Sequence, residues 1–313
     1  MLRVRMFGTG RAKYADRPIV GFPSQQPHLL FCFLLLNHHE SHHRENLAAL
    51  FWGDRPTQTS RKNLRNALWR LRSAFSEVGA RADGYLTVDE EIVSFNPTEE
   101  YWCDVLAFEE TFRALDEVPG YELSAEQALE LEQALDWYTG DLLQGVFDEW
   151  CLVDRERLSL HYLETLAKLM TFNGRDGRYE RALAYGARIL SLDNTREKVH
   201  REMMKLHWLA GDRASALAQY KRCVQILRET FGVSPMEETA RMYRHILHTP
   251  GKSPRGDRPP LTTLEVHLQG PTHPGEALLR HVQRIQGLLE EAGVELSRVE
   301  RSLDLRPGRS PRQ

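Results

Sequence analysis

The first residues of the chain alternate between apolar and basic side chains. Leu2, Val4 and Met6 alternate with Arg3 and Arg5, and a period of two is typical of a half-buried β-strand. The apolar side of such a strand lies on a core, while its basic side faces solvent. The sequence therefore predicts an N-terminal strand over these residues.

Three further elements are predicted before residue 53. The Asp16-Arg17-Pro18 sequence indicates a turn, followed by a second strand at Ile19–Phe22. Leu29–Leu36 is apolar throughout and predicts a helix buried in the core. A second helix is predicted at Arg44–Phe51. Its inward side chains are expected to be Leu47, Leu50 and Phe51.

The third helical pattern carries the strongest chemical signal. It follows a break at Gly53–Pro56, and Thr59 or Ser60 is expected to cap its first turn. Apolar residues at spacings of four and three predict one buried stripe. The residues of this stripe are Leu64, Leu68, Leu71, Phe75 and Val78. From Thr57 to Phe75 the chain carries five basic residues and no acidic one.

The acid-free basic face of this helix fits the major groove of DNA. The candidate DNA-binding residues are Arg61, Lys62, Arg65, Asn66, Trp69, Arg70 and Arg72. Arginine pairs with guanine and asparagine with adenine, so Arg65, Asn66 and Trp69 are the candidates for base contacts. Arg61, Lys62 and Arg72 are the candidates for phosphate contacts. The pattern is also compatible with an ordinary helix whose basic face is solvated.

Two short apolar segments end the N-terminal region. Tyr85–Val88 and Ile92–Phe95 flank Asp89-Glu90-Glu91 and predict a β-hairpin with an acidic tip. Strands, three helices and a terminal hairpin, in this order, are the elements of a winged helix. The N-terminal region is therefore expected to be an α+β winged helix.

Three stretches of this region resemble the DNA-binding half of the Streptomyces antibiotic regulatory protein (SARP) family. They are Arg44-Glu45-Asn46-Leu47, Leu50-Phe51-Trp52-Gly53-Asp54 and Asn63-Leu64-Arg65-Asn66-Ala67-Leu68-Trp69-Arg70-Leu71-Arg72. The resemblance covers nearly all of residues 2–97. It implies that the third helix enters the major groove and that the hairpin contacts the minor groove or the backbone.

This chain departs from the family at two places. The first helix begins with Ser24-Gln25-Gln26-Pro27-His28, where the family has basic residues. The tip of the hairpin is acidic, and carboxylates there would repel phosphate. The third helix is therefore a stronger candidate for a DNA contact than the hairpin.

Residues 104–248 have an almost entirely helical pattern and contain an internal repeat. Gly177–Ala184 recurs as Gly211–Ala218 at an offset of 34 residues, which is the period of the tetratricopeptide helix pair. Ala182 and Ala216 stand where small residues let neighbouring helices approach. An all-α, tetratricopeptide-like array is predicted. Four aromatic residues are expected in its core, or alternatively on a partner-binding surface: Tyr138, Trp150, Tyr162 and Tyr185.

The same segment resembles the bacterial transcriptional activation domain that follows the winged helix in SARP regulators. The resembling stretches are Cys103-Asp104-Val105-Leu106-Ala107-Phe108-Glu109, Tyr138-Thr139-Gly140-Asp141-Leu142-Leu143-Gln144-Gly145, Asp148-Glu149-Trp150 and Phe231-Gly232-Val233-Ser234-Pro235-Met236-Glu237-Glu238-Thr239. They cover residues 103–248. The resemblance implies an activator whose copies sit on direct repeats near a promoter and engage RNA polymerase.

The last part of the chain divides into three predicted segments. Residues 250–273 have the composition of a linker, in which 261–268 has a strand pattern. Residues 274–304 are expected to form an amphipathic helix, and residues 305–313 a disordered tail. The helix carries an unbroken heptad seam of Leu278, Val282, Ile285, Leu289, Ala292, Leu296, Val299 and Leu303. A helix folded back on the repeats, a homodimer and docking to a partner helix all remain open.

The predicted domains differ in charge. The winged helix is expected at residues 1–97, with 13 basic and 9 acidic residues, a net charge of +4. The activation domain is expected at 98–249, and residues 98–250 carry 18 basic and 27 acidic residues, a net charge of −9. This contrast favours a polyanion-binding head beside a protein-contacting body.

Composition excludes several other classes of protein. Hydrophobic residues make up 41% and charged residues 27% of the chain, which is typical of a globular fold. The longest apolar run has eight residues, whereas a membrane helix needs about 20. The first residues are too polar for a signal peptide. Four cysteines lie far apart, which indicates reduced thiols: Cys32, Cys103, Cys151 and Cys223. A cytoplasmic, nucleoid-associated bacterial protein is expected, with no membrane contact.

No sequence motif predicts an enzyme, a cofactor or a metal site. Four histidines have spacings that can share a cation, but they fall between two predicted helices with no fixed fourth ligand. They are His38, His39, His42 and His43. Gly251-Lys252-Ser253 resembles the end of a phosphate-binding loop, but Ile246 occupies the position of its required glycine.

These patterns lead to two hypotheses of different classes. The first is a sequence-specific regulator of the activator type that binds double-stranded DNA and contacts RNA polymerase. The alternative is a tetratricopeptide-like interaction adaptor whose winged helix does not bind DNA. The first helix without basic residues and the acidic hairpin tip favour the alternative. Binding to DNA at about 0.15 M salt distinguishes the two.

Overall fold

The N-terminal strand forms as its alternation predicts. In the computed structural model, which describes residues 1–20 and 26–249, β1 spans Leu2–Arg5 with Leu2 and Val4 fully buried. β2 (Arg11–Tyr14) pairs with β1 antiparallel, and β3 (Arg17–Pro18) pairs with β2. β7 (Tyr101–Cys103) pairs parallel on the other side of β1. The result is a four-stranded sheet of order β3-β2-β1-β7.

The second predicted strand, at Ile19–Phe22, is misplaced. The chain reverses earlier, at Ala15 and Asp16, whose φ angles of 43° and 70° lie in the left-handed region. Such angles suit a tight two-residue hairpin turn, so the returning strand is Arg17–Pro18. Ile19 lies just beyond it and is 4% exposed. The residues that end the predicted strand, 21 and 22, lie outside the described ranges.

The remaining N-terminal elements complete a winged helix. The helices are α1 (Gln26–Leu36), α2 (Arg44–Trp52) and α3 (Thr57–Glu77), with a 3-10 turn at Ala82–Gly84. A second sheet of order β4-β6-β5 is formed by β4 (Ser41–His43), β5 (Leu86–Val88) and β6 (Ile92–Phe95). The expected core helix, second helix, third helix and hairpin are thereby confirmed. β4 was not expected, because a three-residue Ser-His-His strand has no alternating apolar pattern.

Two details of the helices differ from expectation. Leu50 was expected to face inward with Leu47 and Phe51, but it is 46% exposed, because Leu47, Ala48 and Phe51 form the buried side of α2. Neither Thr59 nor Ser60 caps α3, which begins at Thr57. The Ser60 hydroxyl donates to the Trp52 carbonyl oxygen at 2.7 Å and so ties α3 to the end of α2.

The rest of the described chain is helical. Its helices are α4 (Asp104–Ala114), α5 (Ala125–Trp137), α6 (Glu149–Arg175), α7 (Tyr179–Leu192), α8 (Glu197–Leu209), α9 (Arg213–Phe231) and α10 (Glu237–His248). Gly177 and Gly211 have φ angles of 74° and 88°, and each precedes the second helix of a pair. Ala182 and Ala216 are both fully buried. The repeat is therefore confirmed, and the fold is a winged helix followed by a tetratricopeptide-like array.

The aromatic residues of the array divide between its core and its edges. Tyr138 and Tyr162 are buried and stack with their ring centroids 4.0 Å apart, as expected for core residues. The half-buried Tyr185 donates its hydroxyl to Glu132 at 2.8 Å. Trp150 is half-buried and packs on the winged helix, with its ring 5.5 Å from that of Phe33.

The two parts of the fold share one hydrophobic core. The buried carboxylate of Asp104 accepts backbone N–H groups of Met6 at 2.8 Å and Phe7 at 3.2 Å. Burial raises the pKa of Asp104 to about 6, against the opposing effect of these hydrogen bonds. The backbone N–H groups of Leu143 and Gln144 donate to the carbonyl oxygens of Met6 and Gly8, which adds further hydrogen bonds between the two parts. The winged helix is thus anchored to the array by buried hydrogen bonds as well as by apolar contact.

Close packing at Gly120 gives the first prediction. A Cβ atom there would lie 2.6 Å from the carbonyl oxygen of Lys168 and 2.9 Å from its Cα, and this backbone belongs to α6. Because a helix backbone cannot yield as a side chain can, Gly120→Ala is expected to lower the free energy of unfolding by about 1–3 kcal/mol. Urea denaturation followed by circular dichroism measures the change.

Gly186→Ala is the matched control for that substitution. Its Cβ would meet the side chain of Met203 at 2.9 Å and that of Met170 at 3.1 Å. These flexible ends can move, and alanine also favours the α7 helix by about 1 kcal/mol relative to glycine. Gly186→Ala should therefore change stability much less. Equal losses in the two variants would contradict the assignment of a backbone clash at Gly120.

The cysteines of the described chain are thiols in the core. All four cysteines are free and buried, and burial raises the pKa of the Cys151 thiol to about 11. Within residues 1–20 and 26–249, no helix is both long and apolar enough to cross a bilayer. The predictions for the linker at 250–273, the heptad helix at 274–304 and the tail at 305–313 lie outside the described residues.

Candidate nucleic-acid interface

α3 presents all seven candidate residues to solvent. The exposed side chains are Arg61, Lys62, Arg65, Asn66, Trp69, Arg70 and Arg72. Four of them, Lys62, Arg65, Asn66 and Trp69, follow at helical spacings of three and four and so share one face. This face lies opposite the buried stripe of the helix. Cationic, amide and aromatic groups are therefore brought together along the middle of α3.

Trp69 is the most unusual residue of this face. Its side chain is 68% exposed, although it stands in the centre of a well-packed helix. An exposed large aromatic residue among charged neighbours is typical of an interaction surface. Its indole ring can contact a thymine methyl group or the apolar edge of a base.

Acidic neighbours flank two of the candidate phosphate contacts. Arg61 forms an ion pair with Glu45 of α2, and Arg72 lies 3.2 Å from Asp83 of the 3-10 turn. Both pairs are exposed, and exposed pairs contribute only about 0–1 kcal/mol. DNA phosphates can therefore replace these carboxylates at little cost. In the described part of the chain, Lys62, Arg65 and Arg70 have no ion pair.

The buried side of α3 holds this face in place. Leu64, Leu71 and Phe75 are at most 1% exposed. The ring of Phe75 lies 5.3 Å from Phe31 of α1 and 5.9 Å from Tyr85, which precedes β5. A helix fixed by packing on its neighbours presents its outer side chains with little loss of conformational entropy on binding.

The tip of the β5–β6 hairpin lies beside α3 and α2. The backbone N–H of Arg44 donates to the Glu91 carbonyl oxygen at 2.9 Å, and its guanidinium donates to the Asp89 carbonyl oxygen at 3.0 Å. Arg44, Arg72 and the tip line one open cleft of about 1020 Å³. No ion pair with the carboxylates of Asp89, Glu90 or Glu91 occurs among residues 1–20 and 26–249. Negative charge is thus held next to the basic helix.

Sequence reasoning missed three residues of this region. Thr57 and Gln58 are exposed in the first turn of α3, where free backbone N–H groups can bind phosphate. Pro56, directly before them, is the signal that marks this helix start. Arg44 at the start of α2 was also not among the candidates, because its proximity to the hairpin depends on a contact across 45 residues.

The histidine cluster is spread over two elements. His38 and His39 follow α1, whereas His42 and His43 lie in β4. Burial lowers the pKa of His38. In the described ranges, no group of three His, Cys, Asp or Glu side chains is arranged to hold a metal ion.

These observations define a class of protein. A winged helix whose third helix has an exposed basic face is fused through a shared core to a tetratricopeptide-like array. This is the two-part architecture that the resemblance to SARP regulators implies.

Residues 103–247 match the family model of the bacterial transcriptional activator domain. The chain therefore contains a domain of this kind, in agreement with the resemblance of residues 103–248 to the activation domain of SARP regulators. A search of curated proteins found no match.

A solved structure supports the fold. EmbR of Mycobacterium tuberculosis, in complex with a low-affinity phosphopeptide, matches with a TM-score of 0.65 at 17% sequence identity. The match covers 80% of this chain and 66% of that chain. At this identity the likeness shows the fold alone, and EmbR extends beyond the length that this chain covers.

Proposed function

We propose that this regulator binds specific double-stranded DNA through α3. The observation that carries the proposal is the exposed face of Lys62, Arg65, Asn66 and Trp69, which joins positive charge to base-reading side chains on a rigidly packed helix. In the major groove, an arginine such as Arg65 pairs with the edge of guanine, and an asparagine such as Asn66 pairs with the edge of adenine. Trp69 adds an apolar contact beside them.

The other basic residues of α3 are proposed to bind phosphates. Lys62 has no ion pair in the described residues, while Arg61 and Arg72 exchange weak carboxylate partners for DNA. Arg70 lies at the opposite border of the face and reaches the second side of the groove. Phosphate contacts of this kind position the helix and make its affinity depend on salt.

The helical array is proposed to act as the activating half. A stacked array of helix pairs offers an extended surface for a protein partner, and the activator-domain match favours the transcription machinery, RNA polymerase above all. Because the array shares a core with the winged helix, DNA binding fixes the position of that surface at the promoter. The winged helix of this proposal ends at residue 97, where the activating half begins. The protein is proposed to act in the cytoplasm, on the DNA of the nucleoid.

The acidic hairpin tip favours a second candidate function. Asp89, Glu90 and Glu91 stand beside Arg72 and oppose the approach of phosphate. An adaptor that recruits partners through its repeats and does not bind DNA would tolerate such a tip.

Selection from genomic fragments tests the proposal. The purified full chain and its Arg65→Ala/Asn66→Ala variant are each incubated with fragments of the genome at about 0.15 M salt, and the bound DNA is sequenced. The wild type is expected to enrich a short repeated motif, and the variant is expected to lose that motif while retaining its fold by circular dichroism.

A matched variant separates reading from charge. Arg188→Ala removes one exposed arginine from α7 in the helical array and is the control for loss of positive charge. It should leave the motif unchanged. If the wild type enriches nothing, or if the α3 variant keeps the motif, α3 is not the reading helix and the adaptor becomes the better description.

A further inference from the structure

The outer side of the four-stranded sheet carries a second basic surface. Arg3 on β1 stands directly opposite Lys13 on β2, and Arg5 stands opposite Arg11. We call Arg3, Arg5, Arg11 and Lys13 the outer sheet face. Like charges directly opposite each other destabilise strand pairing. Two such pairs side by side are therefore an unfavourable arrangement for the fold alone.

Little negative charge compensates this face. Lys13 forms an exposed ion pair with Asp16 in the adjoining turn, at 2.7 Å. Arg3, Arg5 and Arg11 are exposed and form no ion pair with any residue in the described ranges. Three arginines thus present five-donor guanidinium groups to solvent, and these groups match the oxygens of phosphate bidentately.

Two tryptophans line the edge of the same face. Trp102 of β7 is in register with Arg3 on the neighbouring strand. Its ring meets that of Trp137, at the end of α5, edge to face with centroids 6.1 Å apart. Both rings are half-buried, so each keeps part of its surface open. Flat aromatic rings of this kind stack on nucleobases of any sequence.

The cations and the tryptophans line one cavity of about 630 Å³. Small-molecule sites commonly have volumes of roughly 300–1,000 Å³. Adjacent strands lie about 4.8 Å apart and alternate residues about 7 Å apart along a strand, so the four cations can surround two or three linked phosphates. The indole rings lie at the edge of this cluster, where an attached aromatic ring would reach.

We propose that the cavity over the outer sheet face binds a nucleoside di- or triphosphate. The phosphates lie among Arg3, Arg5, Arg11 and Lys13, and the base contacts Trp102 and Trp137. This site shares no residue with the face of α3, and α3 packs on α1, α2 and the 3-10 turn rather than on this sheet. The ligand is therefore additional to DNA and does not compete with it for the same side chains.

Titration of the full chain with three probes tests the ligand class. ATP, inorganic tripolyphosphate and adenosine are each added without metal at about 0.15 M salt, with calorimetry and tryptophan fluorescence as readouts. ATP is expected to bind and to quench fluorescence. Tripolyphosphate, which lacks the stacking ring, is expected to bind about tenfold more weakly or worse, and adenosine weaker still.

Variants locate the site. Arg3→Gln/Arg11→Gln removes two exposed charges without touching the core, and it is expected to weaken ATP binding at least about tenfold. Trp102→Leu should weaken ATP but not tripolyphosphate. Arg17→Gln is the matched control, because Arg17 is an exposed arginine of the same sheet whose Cα partner is Tyr14, one position off the basic row. It should bind ATP as the wild type does.

Several outcomes would overturn the proposal. Absence of ATP binding at millimolar concentration would do so. Equal affinity for ATP and tripolyphosphate would mean that the face binds anions without recognising the nucleoside. ATP binding that is insensitive to Arg3→Gln/Arg11→Gln would mean that ATP binds elsewhere. If those substitutions instead weaken DNA binding and ATP does not bind, the face is a DNA contact.

Discussion

Replacement of Arg155 by methionine is expected to lower the free energy of unfolding by about 3–5 kcal/mol. Arg155 is 5% exposed and donates to three backbone carbonyl oxygens. Its Nε donates to Leu142 at 2.9 Å, and its Nη2 donates to Leu143 at 2.9 Å and Val146 at 2.7 Å. Methionine keeps much of the apolar volume but supplies no donor, so buried carbonyls are left without their principal partner.

The position of these carbonyls makes the effect more than local. Leu143 has a φ of 43°, a left-handed conformation that a leucine adopts only when its surroundings impose it. Its own N–H donates to the Met6 carbonyl oxygen at 2.8 Å, and Gln144 donates to Gly8 at 2.7 Å. Arg155 therefore stabilises the segment that joins the array to the winged helix. The variant is expected to lose stability in both parts of the molecule.

Arg213→Met is the matched control. Arg213 also donates to backbone carbonyl oxygens, those of Ile246 and Leu247, but it is only half-buried and lies at the end of the array. Its loss should cost about 1 kcal/mol. Urea denaturation followed by circular dichroism and tryptophan fluorescence measures both variants. Similar losses for Arg155→Met and Arg213→Met would show that Arg155 does not specifically stabilise the segment joining the array to the winged helix.

The sequence predicted those elements whose buried residues recur at a regular spacing. The stripe of Leu64, Leu68, Leu71 and Phe75 predicted α3, and all its members are buried. Because a buried stripe leaves the opposite face to solvent, the exposure of the candidate residues followed from the same pattern. The 34-residue repeat predicted the array for a similar reason, since its small residues recur wherever two helices meet.

Features that depend on distant contacts were not predictable in this way. The turn at Ala15 and Asp16 has left-handed φ angles without a glycine to mark it, so β2 was not predicted and the returning strand was placed at Ile19–Phe22. Asp104 binds the backbone of Met6 across 98 residues, and no local pattern announces such a partner. Glu45 and Asp83 likewise reach Arg61 and Arg72 only in the folded chain, although they decide how freely those arginines meet phosphate.

Neutralising the hairpin tip is expected to raise the affinity for DNA. In Asp89→Asn/Glu90→Gln/Glu91→Gln, three carboxylates are replaced by amides of the same shape next to Arg72 and α3. A charge about 4 Å from a phosphate in water costs about 1 kcal/mol, so the combined gain is about ten- to a hundredfold. The carbonyl oxygens that Arg44 and its backbone N–H bind are unchanged by the substitution, so the hairpin should keep its place.

The measurement is a titration of labelled DNA with wild type and variant at several salt concentrations. Because salt screens exposed charges, the gain should shrink as the salt concentration rises. A variant with Glu122→Gln, Glu126→Gln and Glu130→Gln removes the same charge from exposed positions near α5 and serves as the control. A gain confined to the tip variant would mean that the tip restrains a DNA-binding α3. Equal gains would reduce the effect to net charge, and binding in neither protein would favour the adaptor, whose tip has no phosphate to repel.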